Sequence, residues 1–180
     1  MTEQDIINGC KNNDRQCQRA FVDQYSAYLM GVCRRYITDG TRVQDCLQES
    51  LMKVLTSLNQ YTEKGSFKSW AARITVNICL QTIRKEKRHI NFDLDQQVDI
   101  VTQEVVNLKL EVDDVLRFLD TIPEKYRIAI NMYIIEGYSH KEIGQHLGVT
   151  ESSSRSLVTR GRKMIKSAFA EKMIKIVYKN

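Results

Sequence analysis

Apolar residues recur three and four positions apart along nearly all of this 180-residue chain, and a single proline, Pro123, stands in it. Steps of three and four bring side chains onto one face of a helix, whereas a half-buried strand needs alternation by two. Across residues 14–37 the face is Cys17, Phe21, Tyr25, Tyr28, Leu29, Val32 and Tyr36. Across 41–58 it is Val43, Leu47, Leu51, Val54, Leu55 and Leu58. The turn-like YTEKGS follows, with Gly65 as the breaker, and a long helix is expected from about Ser69 to Arg88. Helical spacing resumes at Leu108, Val112, Val115, Leu116 and Leu119, and Pro123 suits the first position of the next helix, where its missing N–H costs nothing.

Between the helical stretches, INFDLDQQVDIVTQE (90–104) is acidic and weakly patterned, which marks a flexible linker. The expected organisation is therefore all-α, with two small helical domains at 1–90 and 108–180 joined by an acidic linker at 91–107. Charge follows the same division. Residues 1–90 hold 14 Lys and Arg against 9 Asp and Glu, residues 91–120 hold 2 against 8, and residues 121–180 hold 11 against 5. Two basic blocks flanking an acidic segment fit a protein that touches nucleic acid at both ends. No apolar run of about 18 residues appears, so no membrane insertion is expected. The opening MTEQDIINGCKNNDR lacks the apolar core of a signal peptide, which predicts a cytoplasmic protein. Five cysteines at odd, wide spacings fit neither a disulfide framework nor a metal knuckle, and reduced, packed thiols are expected.

The C-terminal block has the form of a helix-turn-helix. Ser139-His-Lys-Glu142 is a capping box, Gly148 permits a tight turn, and Thr150 caps the next helix. At 100° per residue that helix separates into two sides. Ser154, Leu157, Val158, Gly161, Met164, Ile165 and Ala168 fall inward. Ser152, Arg155, Ser156, Thr159, Arg162, Lys163 and Lys166 fall outward, with Arg160 at the margin. Short hydroxyls allow close approach to a groove, and arginine forks onto a guanine edge or a phosphate. An ordinary solvated face also carries cations. The capping box, glycine turn and helix lengths turn the balance toward duplex DNA. His140 and His146 have no ligand cluster around them and are expected at the surface or against phosphate.

The long helix of the first half carries Trp70, Arg73, Asn77, Gln81, Arg84 and Arg88 as one stripe, opposite Ala72, Val76, Cys79, Leu80 and Ile83. An aromatic ring, two amides and three arginines suit unstacked bases and backbone together. Trp70 equally suits the edge of a core. The preceding TEKGSF loop would form a pocket for an everted base. Asp45, Gln48 and Glu49 share a polar side of the second helix. No nucleophile, histidine or third carboxylate accompanies them, so they read as a solvated face or a docking patch for a basic partner. No catalytic residue, metal ligand or cofactor is expected.

DCLQESLMKVLTSLNQY (45–61) followed by FKSWAARITVNICLQTIRKEKR (67–88) resembles the second domain of extracytoplasmic-function (ECF, group IV) sigma factors of the sigma-70 family. LDTIPEKYRIAINMYIIEGYSHKEIGQHLGVTESSSRSLVTRGRKMI (119–165) resembles their fourth. These are promoter-specificity subunits of bacterial RNA polymerase, not enzymes. The resemblance implies that Asp45, Gln48 and Glu49 face the β′ clamp helices. It implies that Lys64, Ser66, Phe67, Trp70, Arg73, Asn77, Gln81, Arg84 and Arg88 hold the melted, single-stranded −10 element. Ser152, Ser153, Arg155, Ser156, Thr159, Arg160, Arg162 and Lys163 would read the −35 element as duplex, and part of YRIAINMYII (126–135) would meet the β flap. An anti-sigma factor is the further partner implied. Two positions depart from the family pattern. Ser154 stands where a β-branched residue is common, and Leu157 where a polar or cationic one is.

Two other readings remain open from the residues alone. A free-standing regulator predicts palindromic binding without polymerase and an N-terminal cavity or dimer face. A nucleic-acid enzyme requires a metal cluster or a nucleophile–base pair, and the sequence shows neither.

Overall fold

The computed structural model describes residues 1–87 and 121–177, with side chains in 1–85 and 121–167. The linker at 91–107, the helical spacing at 108–119 and Arg88 lie outside the described residues. All described regular structure is helical. The chain divides into two compact units, Met1–Asp93 and Leu94–Asn180.

The first unit has four α-helices: α1 (Glu3–Lys11), α2 (Arg15–Tyr36), α3 (Gly40–Thr56) and α4 (Phe67–Lys87), with a 3-10 turn at Leu58–Gln60. Each of the first three starts on a side-chain cap. Thr2 and Asp5 form a reciprocal box, the Asp5 N–H donating to Thr2 Oγ1 at 3.1 Å and the Thr2 N–H to Asp5 Oδ2 at 2.8 Å. Those bonds hold the Asp5 carboxyl below its usual range. Asp14 accepts from the Cys17 N–H at 2.9 Å, and Asp39 from the Arg42 N–H at 3.0 Å. A cap of this kind contributes about 1 kcal/mol by satisfying a backbone donor that the helix cannot reach.

Cys17, Phe21, Tyr25, Leu29, Val32 and Tyr36 are buried along α2, as the spacing predicts. Tyr28 is not: it is 36% exposed, with the Lys68 ammonium 5.9 Å over its ring. The core joins Ile6, Ile7 and Cys10 of α1 to Phe21, Tyr25, Leu29, Val54, Leu58, Phe67 and Ala71. All five cysteines are buried free thiols. The Cys79 thiol lies between those of Cys33 and Cys46. Hydrogen bonding from Cys79, against burial and aided by Thr82, brings Cys46 down to about 7.

In the second unit, α5 (Glu124–Ile130) runs directly into a π-helical turn, Asn131–Ile135. The wider turn is seen in the Glu136 N–H, which donates to the Asn131 carbonyl at 3.1 Å. Pro123 stands one position before the helix, as its cap. The π turn advances the register, so Met132 is buried while Ile134 and Ile135 are half exposed. Then come α6 (His140–Leu147) and α7 (Glu151–Val177). Ile122 and Tyr126 pack with Leu157, Met164 and Ile165 to seat α7.

Candidate nucleic-acid interfaces

The turn between α6 and α7 is built by local chemistry. Ser139 and Glu142 cap each other, the Ser139 N–H donating to Glu142 Oε2 at 2.7 Å and the Glu142 N–H to Ser139 Oγ at 3.2 Å. Gly148 has φ +68°, a left-handed conformation that suits glycine. At Gly144 a Cβ would lie 2.7 Å from the Val149 carbonyl oxygen, so only a hydrogen lets the turn close this tightly. Thr150 Oγ1 accepts from the Ser153 N–H at 3.1 Å and starts α7.

The two sides of α7 fall as the spacing predicts, Ala168 lying beyond the residues whose side chains are described. Ser154, Val158 and Gly161 are buried, and Leu157, Met164 and Ile165 are half-buried. Ser152, Ser153, Arg155, Ser156, Thr159, Arg160, Arg162 and Lys163 are all exposed. Three of these are already engaged. The Ser153 hydroxyl lies 2.9 Å from that of Thr150. Arg155 pairs with Glu151 one turn earlier on the helix. Arg162 lies 5.4 Å over the Tyr133 ring.

Tyr133 in turn stacks on His140, with centroids 4.3 Å apart and planes at 13°. The other side of that imidazole reaches the buried Ser154 hydroxyl, with Nδ1 and Oγ 3.2 Å apart. His140 therefore ties α6 to α7 and is not a free surface group. Burial, joined by the charges of Arg155 and Arg162 and opposed by Glu151, lowers its pKa. His146 is half-buried with Tyr138 edge-on, centroids 5.4 Å apart. Both histidines thus sit half-buried against an aromatic ring rather than freely exposed. Both departures from the family pattern face inward: Ser154 meets His140, and Leu157 packs on Ile122 and Tyr126.

In the first unit, Arg73, Asn77, Gln81 and Arg84 are exposed along one side of α4. Ala72, Val76, Cys79, Leu80 and Ile83 are buried on the other, joined by Ala71, Thr75 and Ile78. Trp70 is half-buried at the head of the stripe, its ring 5.3 Å from Tyr61 and 5.5 Å from Phe67. It is at once an edge of the core and the start of the exposed face.

Phe67 is not a surface contact. It is 1% exposed, with its ring edge-on to Phe21 at 6.1 Å, Tyr25 at 5.1 Å and Tyr61 at 5.2 Å. The expectation of DNA contact there is corrected, because α4 begins at Phe67 and not near Ser69. That early start places Phe67 one turn before Ala71 on the inward side. Ser66 and Lys64 are exposed. Ser66 Oγ accepts from the Ser69 N–H at 3.1 Å and so caps α4.

The loop between Tyr61 and Ser66 is held at several points. The Tyr61 hydroxyl donates to the Gly65 carbonyl at 2.6 Å. Glu63 has φ +57°, which costs a residue with a side chain on the order of 1 kcal/mol. Gln4 of α1 donates from Nε2 to Glu63 Oε1 at 2.8 Å. The Tyr25 hydroxyl donates to Glu3 Oε2 at 2.5 Å. Burial first, and that bond second, push the Tyr25 phenol above its ordinary value. These α1 contacts went unread in the sequence. The Thr2-x-x-Asp5 capping signature marks the helix, but nothing in its spacing points to a loop some sixty residues on.

Asp45, Gln48 and Glu49 are exposed together on α3, on the side away from Val43, Cys46, Ser50 and Val54. Among the described residues no group of His, Cys, Asp and Glu is placed to hold a metal ion. No described helix is long and apolar enough to cross a membrane.

The fold thus defines a class: a helical chain that ends one unit in a helix-turn-helix and exposes an arginine–amide face on a long helix of the other. Comparison with known proteins identifies it. Residues 21–89 match the family model of Sigma-70 region 2, and residues 113–165 that of Sigma-70, region 4. The chain is 31% identical to the RNA polymerase sigma factor SigZ of Bacillus subtilis, over 80% of this chain and 82% of that one. It is 32% identical to the ECF RNA polymerase sigma factor SigE of Mycolicibacterium smegmatis, over 71% of this chain, and spans about half of that relative, 52% of its length. Its fold is similar to that of the sigma factor RpoE of Bartonella quintana, solved with the anti-sigma factor NepR, at a TM-score of 0.56 and 18% identity over 84% of this chain and 96% of that one. The chain belongs to the sigma-70 family of RNA polymerase sigma factors, in its ECF group. Proteins of this family direct polymerase to promoters.

Proposed function

We propose that this sigma factor divides promoter recognition between its two units, residues 1–90 holding the melted −10 strand and residues 108–180 reading the −35 duplex, joined by 91–107. The observation that carries the reading is the exposed Arg73, Asn77, Gln81 and Arg84 stripe of α4, rising from Trp70 and the Tyr61–Ser66 loop. A helix-turn-helix alone leaves that face without a purpose. Aromatic edge, amide and guanidinium together suit an unpaired strand, whose bases stack and hydrogen-bond while its phosphates are neutralised. Arg88 is assigned the same role from its spacing in the sequence.

On α7, Arg155 and Ser156 stand near the helix start, where a groove-inserted helix meets base edges, and Thr159, Arg160, Arg162 and Lys163 follow along the groove and phosphates. Ser152 and Ser153 approach the backbone beside the cap. Glu151 holds Arg155 in place until DNA competes for it, and Tyr133 does the same for Arg162. Asp45, Gln48 and Glu49 dock on the β′ clamp helices of core polymerase. The half-exposed Ile134 and Ile135 offer the β flap an apolar contact. The protein carries no catalytic site of its own, works in the cytoplasm, and is held in check by an anti-sigma partner, as its structural relative is bound by one.

Two substitutions in the holoenzyme test the division. Arg155→Ala weakens −35-dependent promoter binding by about 1–3 kcal/mol and relaxes base preference there. Asn77→Ala leaves core affinity and duplex binding intact and lowers promoter opening, read by permanganate reactivity of −10 thymines. An Asn77→Ala loss confined to core affinity would contradict the strand-holding role.

A further inference from the structure

We infer that α1 is the brace that sets the Tyr61–Ser66 loop for the melted strand, with Glu3 and Gln4 as its positioning residues. This rests on the reading of that loop as part of the −10 face.

Two independent routes connect the helix to the loop. The direct one is the Gln4–Glu63 hydrogen bond at 2.8 Å, which meets the loop at its one left-handed residue among those described, at φ +57°. A side chain held in that conformation persists only where its surroundings over-determine it, and such residues gather at ligand-binding segments. The indirect route runs through the core. Glu3 accepts from the Tyr25 hydroxyl at 2.5 Å, a short bond of the charge-assisted kind. The Tyr25 ring meets Phe67 edge-on at 5.1 Å, and Phe67 meets Tyr61 at 5.2 Å. Tyr61 closes the route by donating to the Gly65 carbonyl at 2.6 Å. Burial first, and the charges of Glu3 and Glu63 after it, push the Tyr61 phenol above its ordinary value.

Beyond half-buried Tyr61, the loop is exposed from Thr62 to Ser66. An exposed loop without such anchors samples many conformations, and ordering it at the moment of strand capture draws on the binding free energy. Fixing it beforehand transfers that cost to folding. Glu3 and Gln4 are themselves exposed, while Ile6, Ile7 and Cys10 anchor α1 in the core. The brace can therefore be removed without removing the helix.

The test uses full-length protein, core polymerase and a promoter located by mapping RNA 5′ ends. The double variant Glu3→Ala, Gln4→Ala is compared with wild type, with Glu3→Gln, which keeps an acceptor for Tyr25, and with Asn77→Ala. Thermal midpoint, core affinity and −35 duplex binding are measured beside permanganate reactivity at the −10 thymines. The double variant should keep core affinity and −35 duplex binding, show a modestly lowered thermal midpoint from the lost bonds, and lose opening by about 5- to 30-fold, the range for losing one or two hydrogen bonds of ordinary worth. Glu3→Gln should recover most of the Glu3 share. Opening at the wild-type level in the double variant overturns the brace while the −10 reading stands. So does a loss matched by an equal fall in core affinity or −35 duplex binding, which marks α1 as structural only. Undiminished opening by Asn77→Ala, or no opening by wild type, overturns the −10 reading and the brace with it.

Discussion

Phe67 and Arg155 mark two kinds of residue in this protein, one packed in the core and one exposed on the face proposed to meet DNA. Phe67 joins three other rings and is closed from solvent. Phe67→Ala should destabilise the first unit by about 3–5 kcal/mol, seen as a lower midpoint in urea. A stable variant with normal midpoint and failed opening would return Phe67 to the DNA face. His140 is likewise packed, in the second unit. Its pKa is lowered on folding, so the folded state binds fewer protons there than the unfolded chain. The stabilisation is complete above the unfolded value of 6.5 and fades as pH falls below it. Stability of the second unit should thus decline from pH 7 toward pH 5, and His140→Gln should flatten that slope. An unchanged slope would contradict the Tyr133–His140–Ser154 arrangement.

At the scale of elements, the sequence is read best where side-chain chemistry repeats along one helix. The outward and inward sides of α7 were legible because cations and hydroxyls alternate with apolar residues at 3.6, with no break in register. The α4 stripe was legible for the same reason. Two features broke the pattern. The π turn at Asn131–Ile135 advances the register of an almost wholly apolar segment, so no periodic count separates buried Met132 from exposed Ile134. The start of α4 moved by two residues, because Ser66 caps it, and that displacement turned Phe67 inward. The spacing also set Tyr28 on the buried face, whereas it is partly exposed with the Lys68 ammonium over its ring. Contacts far apart in sequence, such as Gln4–Glu63, leave no periodic trace. The caps were legible and are testable. Ser139→Ala should cost the second unit about 1 kcal/mol and, by fraying the start of α6, weaken duplex binding, whereas Ser139→Asp should retain both. Equal stability of the alanine variant would show that the Gly148 turn alone fixes α6.

At the scale of the whole molecule, family membership makes the chain a promoter-directing sigma factor, and the two basic blocks support the proposal that both units meet DNA. We propose that the chain makes core polymerase start at particular promoters, using the α4 stripe as well as the helix-turn-helix. Transcription in vitro tests it most directly: purified protein, sigma-free bacterial core polymerase and a supercoiled genomic template library, with RNA 5′ ends sequenced. Discrete starts are expected that depend on the protein, share one −35 and one −10 motif, and fade when Asn77 is replaced by alanine. No protein-dependent starts with the native core enzyme, together with tight palindromic binding by the protein alone, would contradict it.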